Sequence, residues 1–356
     1  MASDRLNVDA NSSGSLTKAP PVLFWKRVQG AFMLSMALTS GAALSQSGVG
    51  VAGSQSSAPA SSPSTATQVV FKLATQTLPS GNVQLSGGTT VNVGDWPALL
   101  LAWIPLSNGL ASCTATLVGP TVMLTAAHCV DDPFGPKARE LYLMVDNRKL
   151  KFDCEISPDY LKHDPQTTSP RGSEDYALCI VKVTGSLPVS LAAIQPEVVD
   201  VFQPLQKGEK VLMVGYGCTD LKVVNGEFTY KVSDKALRIG DEQIDKAQKY
   251  DAANPAYSRT RSLNGKEPAL CPGDSGGPVF SGASTDEPTA QRRVRAVNSA
   301  ISSEKAGIGY DILSLISSTS TSAFEPWARK WLAKQATSKP VICGINKKAG
   351  EFPCRQ

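Results

Sequence analysis

One serine, Ser275, lies in a sequence that could turn its hydroxyl into a nucleophile: the string CPGDSGGP at residues 271–278. A serine hydroxyl is a poor nucleophile unless a tight turn exposes it beside a base, and glycines permit the backbone dihedral angles of such a turn. The N–H groups of Gly273 and Ser275 would then converge and stabilise a tetrahedral oxyanion. A shorter match would indicate only a glycine-rich turn. The full string predicts acyl transfer.

The chain has two histidines that could serve as the proton shuttle of a serine nucleophile. His128 follows the apolar run Val122–Ala127 and precedes Cys129, which places it at the end of a predicted strand. His163 lies in the polar sequence KHDP and is interpreted as a surface residue. An isolated histidine is usually structural, but the serine motif favours His128, and only His128, as the general base.

A carboxylate stands at the head of a strongly apolar run. Asp175 directly precedes YALCIV at residues 176–181. A carboxylate entering a core needs a partner, and a histidine N–H is suitable because the pairing fixes the histidine tautomer. The competing carboxylates, Glu174 and Asp164, do not lead directly into an apolar strand. The sequence therefore predicts that Asp175 orients His128.

The elements that must position these residues are short apolar runs bounded by Gly, Pro, Asn or Asp. This pattern is typical of strands and turns in a sandwich or barrel. Near the end, residues 323–335 space Phe324, Trp327, Ala328 and Trp331 along one face, which predicts a single amphipathic helix. The apolar runs are Ala98–Ile104, Thr114–Val118, Val122–Ala127, Leu141–Val145, Tyr176–Val183, Lys210–Val214, Ala236–Ile239, Pro278–Phe280 and Val294–Ile301.

Composition excludes some classes of function. The net charge of +4 comes from scattered residues without a basic block, so no nucleic-acid partner is expected. Two histidines and no clustered carboxylates predict no metal and no cofactor. Eight cysteines, an even number without a CxxC pair, indicate disulfides in an exported protein.

The N-terminal region has the order of a secretory signal. Lys26 and Arg27 precede an apolar run, residues 28–44, which is followed by small residues. An uncleaved signal anchor is the alternative. We predict a signal in residues 1–45, a low-complexity linker or pro-segment in 46–84, a catalytic domain in 85–335 and a disulfide-closed tail in 336–356.

The three motifs around His128, Asp175 and Ser275, in that order, resemble those of the trypsin/chymotrypsin serine protease family, in particular a bacterial-type secreted member. Convergent serine hydrolases use other orders. The resemblance covers about residues 85–335. It implies an all-β, chymotrypsin-like fold of two six-stranded antiparallel β-barrels packed face to face with a C-terminal helix. The first barrel would span about 85–200, the second about 201–322 and the helix 323–335.

The resemblance also implies an activation step. LSGG at residues 85–88 resembles the family's mature N-terminus, although Leu-Ser replaces the usual Ile-Val. Cleavage after Gln84 would free the α-amine of Leu85, which would pair with Asp274. This makes the chain a predicted zymogen.

Three further positions are implied to shape substrate specificity. Ala269 would lie at the base of the pocket, where a basic side chain would find no carboxylate. Ser299 would support the catalytic aspartate and line the pocket, and Ile301 would narrow it. Small or medium apolar residues before the scissile bond are therefore expected.

The disulfide pairing of the cysteines is predicted in part from the resemblance to the family. The family's histidine-loop bridge implies Cys113–Cys129, and the closeness of Cys343 and Cys354 favours a local pair. The remaining four cysteines allow three pairings, of which we favour the pairs Cys154–Cys179 and Cys218–Cys271.

These observations predict a secreted, monomeric serine endopeptidase that acts on protein or peptide substrates. A proteinaceous inhibitor is a further expected partner, and no membrane association is expected once the signal is removed. The alternative is a protease-fold binding or regulatory protein that never matures. An esterase using the same residues is a second alternative, which a protein substrate would distinguish.

Overall fold

The computed structural model describes residues 85–106, 109–131, 139–162, 172–183, 185–248, 257–335 and 337–356. The predicted signal, the predicted linker and His163 with Asp164 lie outside these ranges. Within them, no helix combines the length and apolar character needed to cross a membrane.

Strands are the main regular secondary structure of the described chain. The helices are short except for the last; they are α1 (Ala127–Val130), α2 (Val189–Ala192) and α3 (Phe324–Lys334). The strands are β1 (Thr89–Thr90), β2 (Leu99–Leu106), β3 (Gly109–Gly119), β4 (Val122–Thr125), β5 (Glu140–Val145), β6 (Arg148–Ile156), β7 (Ala177–Lys182), β8 (Lys210–Gly215), β9 (Thr219–Val224), β10 (Glu227–Lys231), β11 (Arg238–Lys246), β12 (Ser258–Ser262), β13 (Pro278–Ser281), β14 (Arg293–Ala306) and β15 (Gly309–Ser318).

The first barrel is a closed antiparallel sheet in the order β2-β3-β4-β7-β6-β5. A single residue pair, Trp103 opposite Tyr142, closes it between β2 and β5. The central strands β4 and β7 are buried along almost their whole length, which explains why their sequences are continuous apolar runs rather than alternating ones. This burial fixes the ends of both strands, where His128 and Asp175 lie.

The second barrel has the order β11-β12-β15-β14-β13-β8, and a pairing of β8 with β11 closes the ring. Strand β1 pairs with the first two residues of β11, and β9 with β10 forms a separate two-stranded hairpin. The largest apolar cluster draws side chains from both barrels, for example Leu117 and Val214. The predicted architecture of two six-stranded antiparallel barrels is confirmed.

The C-terminal helix packs by the face that its sequence predicted. Phe324, Trp327, Ala328 and Trp331 are buried. The ring of Tyr176 meets that of Phe324 edge to face, with 4.7 Å between ring centroids, and lies 5.3 Å from that of Trp327. Because Tyr176 follows Asp175 directly, the helix braces the segment that carries this carboxylate.

The segment after the helix folds back onto the connection between the barrels. The backbone of Cys343 donates to the carbonyl of Val118 at 2.8 Å and accepts from the N–H of Val199 at 2.9 Å. Beneath this contact, the guanidinium of Arg292 and the carboxylate of Glu197 form a fully buried ion pair at 2.6 Å. The four disulfides are those favoured from the sequence: Cys113–Cys129, Cys154–Cys179, Cys218–Cys271 and Cys343–Cys354.

Candidate active site

His128 and Asp175 form a doubly bonded pair in the first barrel. His128 lies in the short helix α1 after β4, and Asp175 immediately precedes Tyr176, next to the start of β7. The Oδ2 atom of Asp175 lies 2.6 Å from Nδ1 of His128, and its Oδ1 atom accepts the backbone N–H of His128 at 2.8 Å. Two bonds to one carboxylate fix both the backbone and the ring of the histidine.

Ser299 reaches the same carboxylate from the second barrel. Its hydroxyl donates a hydrogen bond to Oδ2 of Asp175. The register of β14 against β15 shifts between Asn298 and Ala300, so Ser299 occupies a β-bulge. A β-bulge changes the direction of a side chain that would otherwise follow the pleat. Ser299 is only 3 % exposed, and its hydroxyl is directed at the aspartate.

Asp175 and His128 shift each other's protonation. Burial by itself would lower the pKa of His128, but the charge of Asp175 and the hydrogen bond outweigh burial, so this pKa is raised above its usual value. Burial would raise the pKa of Asp175, but the histidine charge and the hydrogen bonds from His128 and Ser299 hold it below its usual value. The pair therefore favours an ionised aspartate next to a basic imidazole.

Ser275 lies in a loop between the two barrels. Its hydroxyl donates to the carbonyl of Ser299 at 3.4 Å, and its carbonyl accepts the N–H of Thr114 at 2.8 Å. No hydrogen bond joins the side chains of Ser275 and His128, both of which belong to the described chain. The hydroxyl must rotate away from Ser299 to meet the imidazole.

The nucleophile loop leaves two donors unused. Gly273 has a φ of 104° and Gly276 a φ of 83°, a region of dihedral space that favours glycine. The neighbouring N–H groups of Asp274, Gly276 and Gly277 bond to backbone carbonyls. Among the described residues, neither the N–H of Gly273 nor that of Ser275 has an acceptor, and unpaired adjacent donors are what an oxyanion needs.

Asp274 is completely buried and turned away from the serine. Its Oδ1 accepts the N–H of Gly217 at 2.7 Å, and its Oδ2 accepts that of Cys271 at 2.9 Å. Burial raises the pKa of Asp274 to about 7, against the lowering effect of these two bonds and of the charge of Arg238. Leu85 is also fully buried and packs in an apolar cluster of the second barrel; in this uncut chain no hydrogen bond or ion pair links these two described residues.

Two of the three residues expected to shape the substrate pocket, Ala269 and Ile301, lie in one apolar cluster, whereas Ser299 lies at Asp175. Ala269 is fully buried in this cluster, and the half-buried Ile301 packs against the same group. Ile301 stands opposite Ser314 in the β14–β15 ladder, and the Ser314 hydroxyl accepts the N–H of Leu270 at 2.9 Å. This bond joins the segment of Ala269 to the strands that carry Ile301.

Sequence reasoning missed two residues that hold the nucleophile loop. The Thr114 hydroxyl donates to the carbonyl of Gly273 and accepts the N–H of Tyr216, both at 3.0 Å. The Asn298 amide donates to the carbonyls of Val214 at 2.9 Å and Asp274 at 3.3 Å. A buried asparagine inside the apolar run Val294–Ile301 was a signal for Asn298, whereas Thr114 had no signal of this kind.

The described residues contain no group of three or more His, Cys, Asp or Glu side chains placed to hold a metal ion.

The Trypsin family model matches residues 85–321. The chain belongs to this family of serine proteases, and its two-barrel fold agrees with that membership.

Individual relatives are distant. Transmembrane protease serine 11E of Mus musculus is 26% identical over 213 residues, which are 56% of this chain and 45% of that protein. Chymotrypsin-like elastase family member 1 of Macaca fascicularis is 23% identical over 223 residues, 60% of this chain and 79% of that protein. The chain thus matches less than half the length of the mouse relative. Among solved structures, a thermostable serine protease AL20 from an extremophilic microorganism has a TM-score of 0.44 at 16% identity, covering 68% of this chain and 99% of that one.

Proposed function

We propose that this chain is a secreted serine endopeptidase that uses Ser275 as nucleophile, His128 as general base and Asp175 as the orienting carboxylate. One observation carries the proposal. A single buried carboxylate binds both the ring and the backbone of His128 at 2.6 and 2.8 Å, while the adjacent serine loop keeps two N–H groups unpaired.

The reaction would proceed by acyl transfer. After rotation of its side chain, Ser275 attacks the peptide carbonyl while Nε2 of His128 takes the hydroxyl proton. The N–H groups of Gly273 and Ser275 bind the oxyanion. Collapse of the tetrahedral intermediate breaks the C–N bond of the substrate, and His128 gives its proton to the leaving amine. A water molecule activated by the same histidine then releases the acyl group and regenerates the serine.

Maturation would require a cut after Gln84, with residues 1–45 acting as a signal and 46–84 as a linker or pro-segment. The freed α-amine of Leu85 would pair with Asp274. Burial of both residues and the pKa of Asp274, raised to about 7 by that burial, support this step, because an ammonium group would supply the buried carboxylate with a counter-charge.

The substrate would be a protein or peptide with a small or medium apolar residue before the scissile bond. Ala269 offers no charge at the base of the pocket, and Ile301 packs against the same apolar group. Four disulfides among the described cysteines support export to an oxidising compartment. The active enzyme is expected to be a monomer that proteinaceous inhibitors can bind.

The test is active-site labelling of the secreted protein with a fluorophosphonate probe, followed by mapping of the labelled peptide. We expect label on Ser275 only, none in Ser275→Ala, and cleavage of a denatured protein substrate. Absence of label in protein trimmed to begin at Leu85 would contradict the proposal.

A second candidate is a protease-fold binding protein that does not mature. The hydroxyl of Ser275 bonds to Ser299 rather than to His128, and Leu85-Ser86 departs from the family's usual first residues. This candidate predicts no label on Ser275 in any trimmed form, and tight binding of a protein partner that survives Ser275→Ala.

A further inference from the structure

The β9–β10 hairpin is amphipathic. Leu221 and Val223 alternate along β9, and Val223 stands directly opposite Phe228 of β10, so these three apolar side chains share one face. The other face is polar, with Asp220 pairing with Lys222 at 2.8 Å. A hairpin of this kind needs a surface on which to bury its apolar face.

That surface includes Ala269 and Ile301, two of the residues expected to form the substrate pocket. Leu221 is buried in one apolar cluster with Ala269, and Val223, Phe228 and Ile301 pack against the cluster. Leu221 lies deepest, while Val223, Phe228 and Ile301 keep part of their surface exposed. The hairpin therefore brings apolar side chains to Ala269 and Ile301, the expected base and wall of the pocket.

Two bonds fix the hairpin in this position. The disulfide Cys218–Cys271 joins its foot to the start of the nucleophile loop. The Ser86 hydroxyl donates to the carbonyl of Leu221 at 3.3 Å, and the carbonyl of Ser86 accepts the N–H of Ala269 at 2.9 Å. The hairpin, the nucleophile loop and the pocket base therefore form one connected unit.

We propose that the β9–β10 hairpin is a wall of the pocket for the substrate side chain before the scissile bond, with Val223 and Phe228 as specificity-determining residues. The inference rests on the proposed function. A small apolar side chain can cover the exposed parts of Val223, Phe228 and Ile301, whereas a large one meets the Phe228 ring. Size discrimination in an apolar pocket amounts to about 10–200-fold per methylene-sized difference.

The test compares kcat/KM for peptides that differ only in the residue before the scissile bond, Ala or Phe, using the secreted enzyme after cleavage at Gln84. In Phe228→Ala we expect the Phe-to-Ala ratio of kcat/KM to rise by at least about tenfold. Thr229→Ala, next along the same strand but exposed, is the matched control and should leave the ratio unchanged.

Labelling of Ser275 by a small fluorophosphonate separates the outcomes, because it reports the triad and not the pocket. A labelled wild type whose ratio is unchanged in Phe228→Ala would overturn the hairpin assignment alone. An unlabelled wild type would overturn the proposed function and this inference together. If Phe228→Ala loses label through misfolding, Val223→Ala and Phe228→Leu are measured instead, and an unchanged ratio in both overturns the assignment.

Discussion

The hydroxyl of Ser299 in the second barrel donates a hydrogen bond to the carboxylate of Asp175 in the first. This bond joins the two halves of the molecule at the candidate triad, and it depends on the β-bulge at Ser299. The orientation of His128 therefore depends on residues of both barrels.

Removing this hydroxyl should weaken catalysis without abolishing it. A hydrogen bond to a charged group contributes about 1.5–3 kcal/mol, so Ser299→Ala should lower kcat/KM by about ten- to hundredfold. The pKa of Asp175 should rise, because this bond helps to lower it. Steady-state kinetics would measure the fall in kcat/KM, with Ser302→Ala in the same strand as control. Equal activity in the two variants would show that the bond has no role in catalysis.

The pH dependence of kcat/KM should follow His128. The general base must be neutral, and a raised pKa keeps the imidazole protonated to higher pH. The acidic limb of the profile should therefore lie above pH 6.5. In Asp175→Asn the limb should move to lower pH, and the rate should fall by about 10⁴-fold. His163→Ala is the control and should leave the acidic limb in place. A limb that shifts in His163→Ala would show that His128 is not the general base.

Glu242 should make the folded protein less stable as pH rises. It lies 5 % exposed in β11, and among the described residues its Oε1 has no hydrogen-bond partner. Burial raises its pKa to about 8, so the folded state holds a proton that the unfolded state has lost. This contribution to stability is full below the unfolded pKa and disappears as pH rises towards 8, by about 2–3 kcal/mol over two pH units.

Urea unfolding at several pH values between 5.5 and 7.5 would measure this effect. The free energy of unfolding should fall less steeply with pH in Glu242→Gln than in the wild type. Glu227→Gln, at an exposed position in the hairpin, should keep the wild-type slope. Parallel slopes for Glu242→Gln and the wild type would mean that Glu242 does not carry the proton.

Gly276 should not tolerate a side chain. A Cβ atom there would collide with the Thr125 hydroxyl and the Thr114 carbonyl, in addition to straining a φ of 83°. Gly185 also has a positive φ, but its Cβ would meet open space. Gly185→Ala should cost only backbone strain, of order 1–3 kcal/mol, whereas Gly276→Ala should cost more and disrupt the nucleophile loop. Urea midpoints compare the two, and similar midpoints would contradict the clash.

The apolar runs of the sequence predicted nine of the strands, but they did not mark β6, β12 or β15, although Phe152 of β6 and Ile316 of β15 belong to the apolar cores. Strand β12, with the sequence SRTRS, has no apolar residue, yet Ser258, Thr260 and Ser262 are buried. Its Arg261 pairs with Asp311 of β15 at 2.8 Å. Periodicity of apolar residues cannot reveal a strand of this kind, because its partners lie about fifty residues away along the chain.

In the candidate site, too, some features could be predicted from local sequence and others could not. The motifs around His128, Asp175 and Ser275 could be recognised from short local sequences. The structure brings the histidine and the aspartate into direct contact. The bulge that directs Ser299 and the packing of Phe228 near Ile301 arise from strand register and tertiary contacts. Neither can be read from short stretches of sequence, since each depends on which strands become neighbours.

The docked C-terminal tail has a consequence for how the protein is made. Cys343 and Arg355 bond to the connection between the barrels at Val199 and Pro196, and the Arg355 guanidinium lies 3.4 Å from the buried Glu197. These partners follow both barrels along the chain. The connection therefore completes its contacts only after the segment that follows α3 has been synthesised, later than every strand of either barrel.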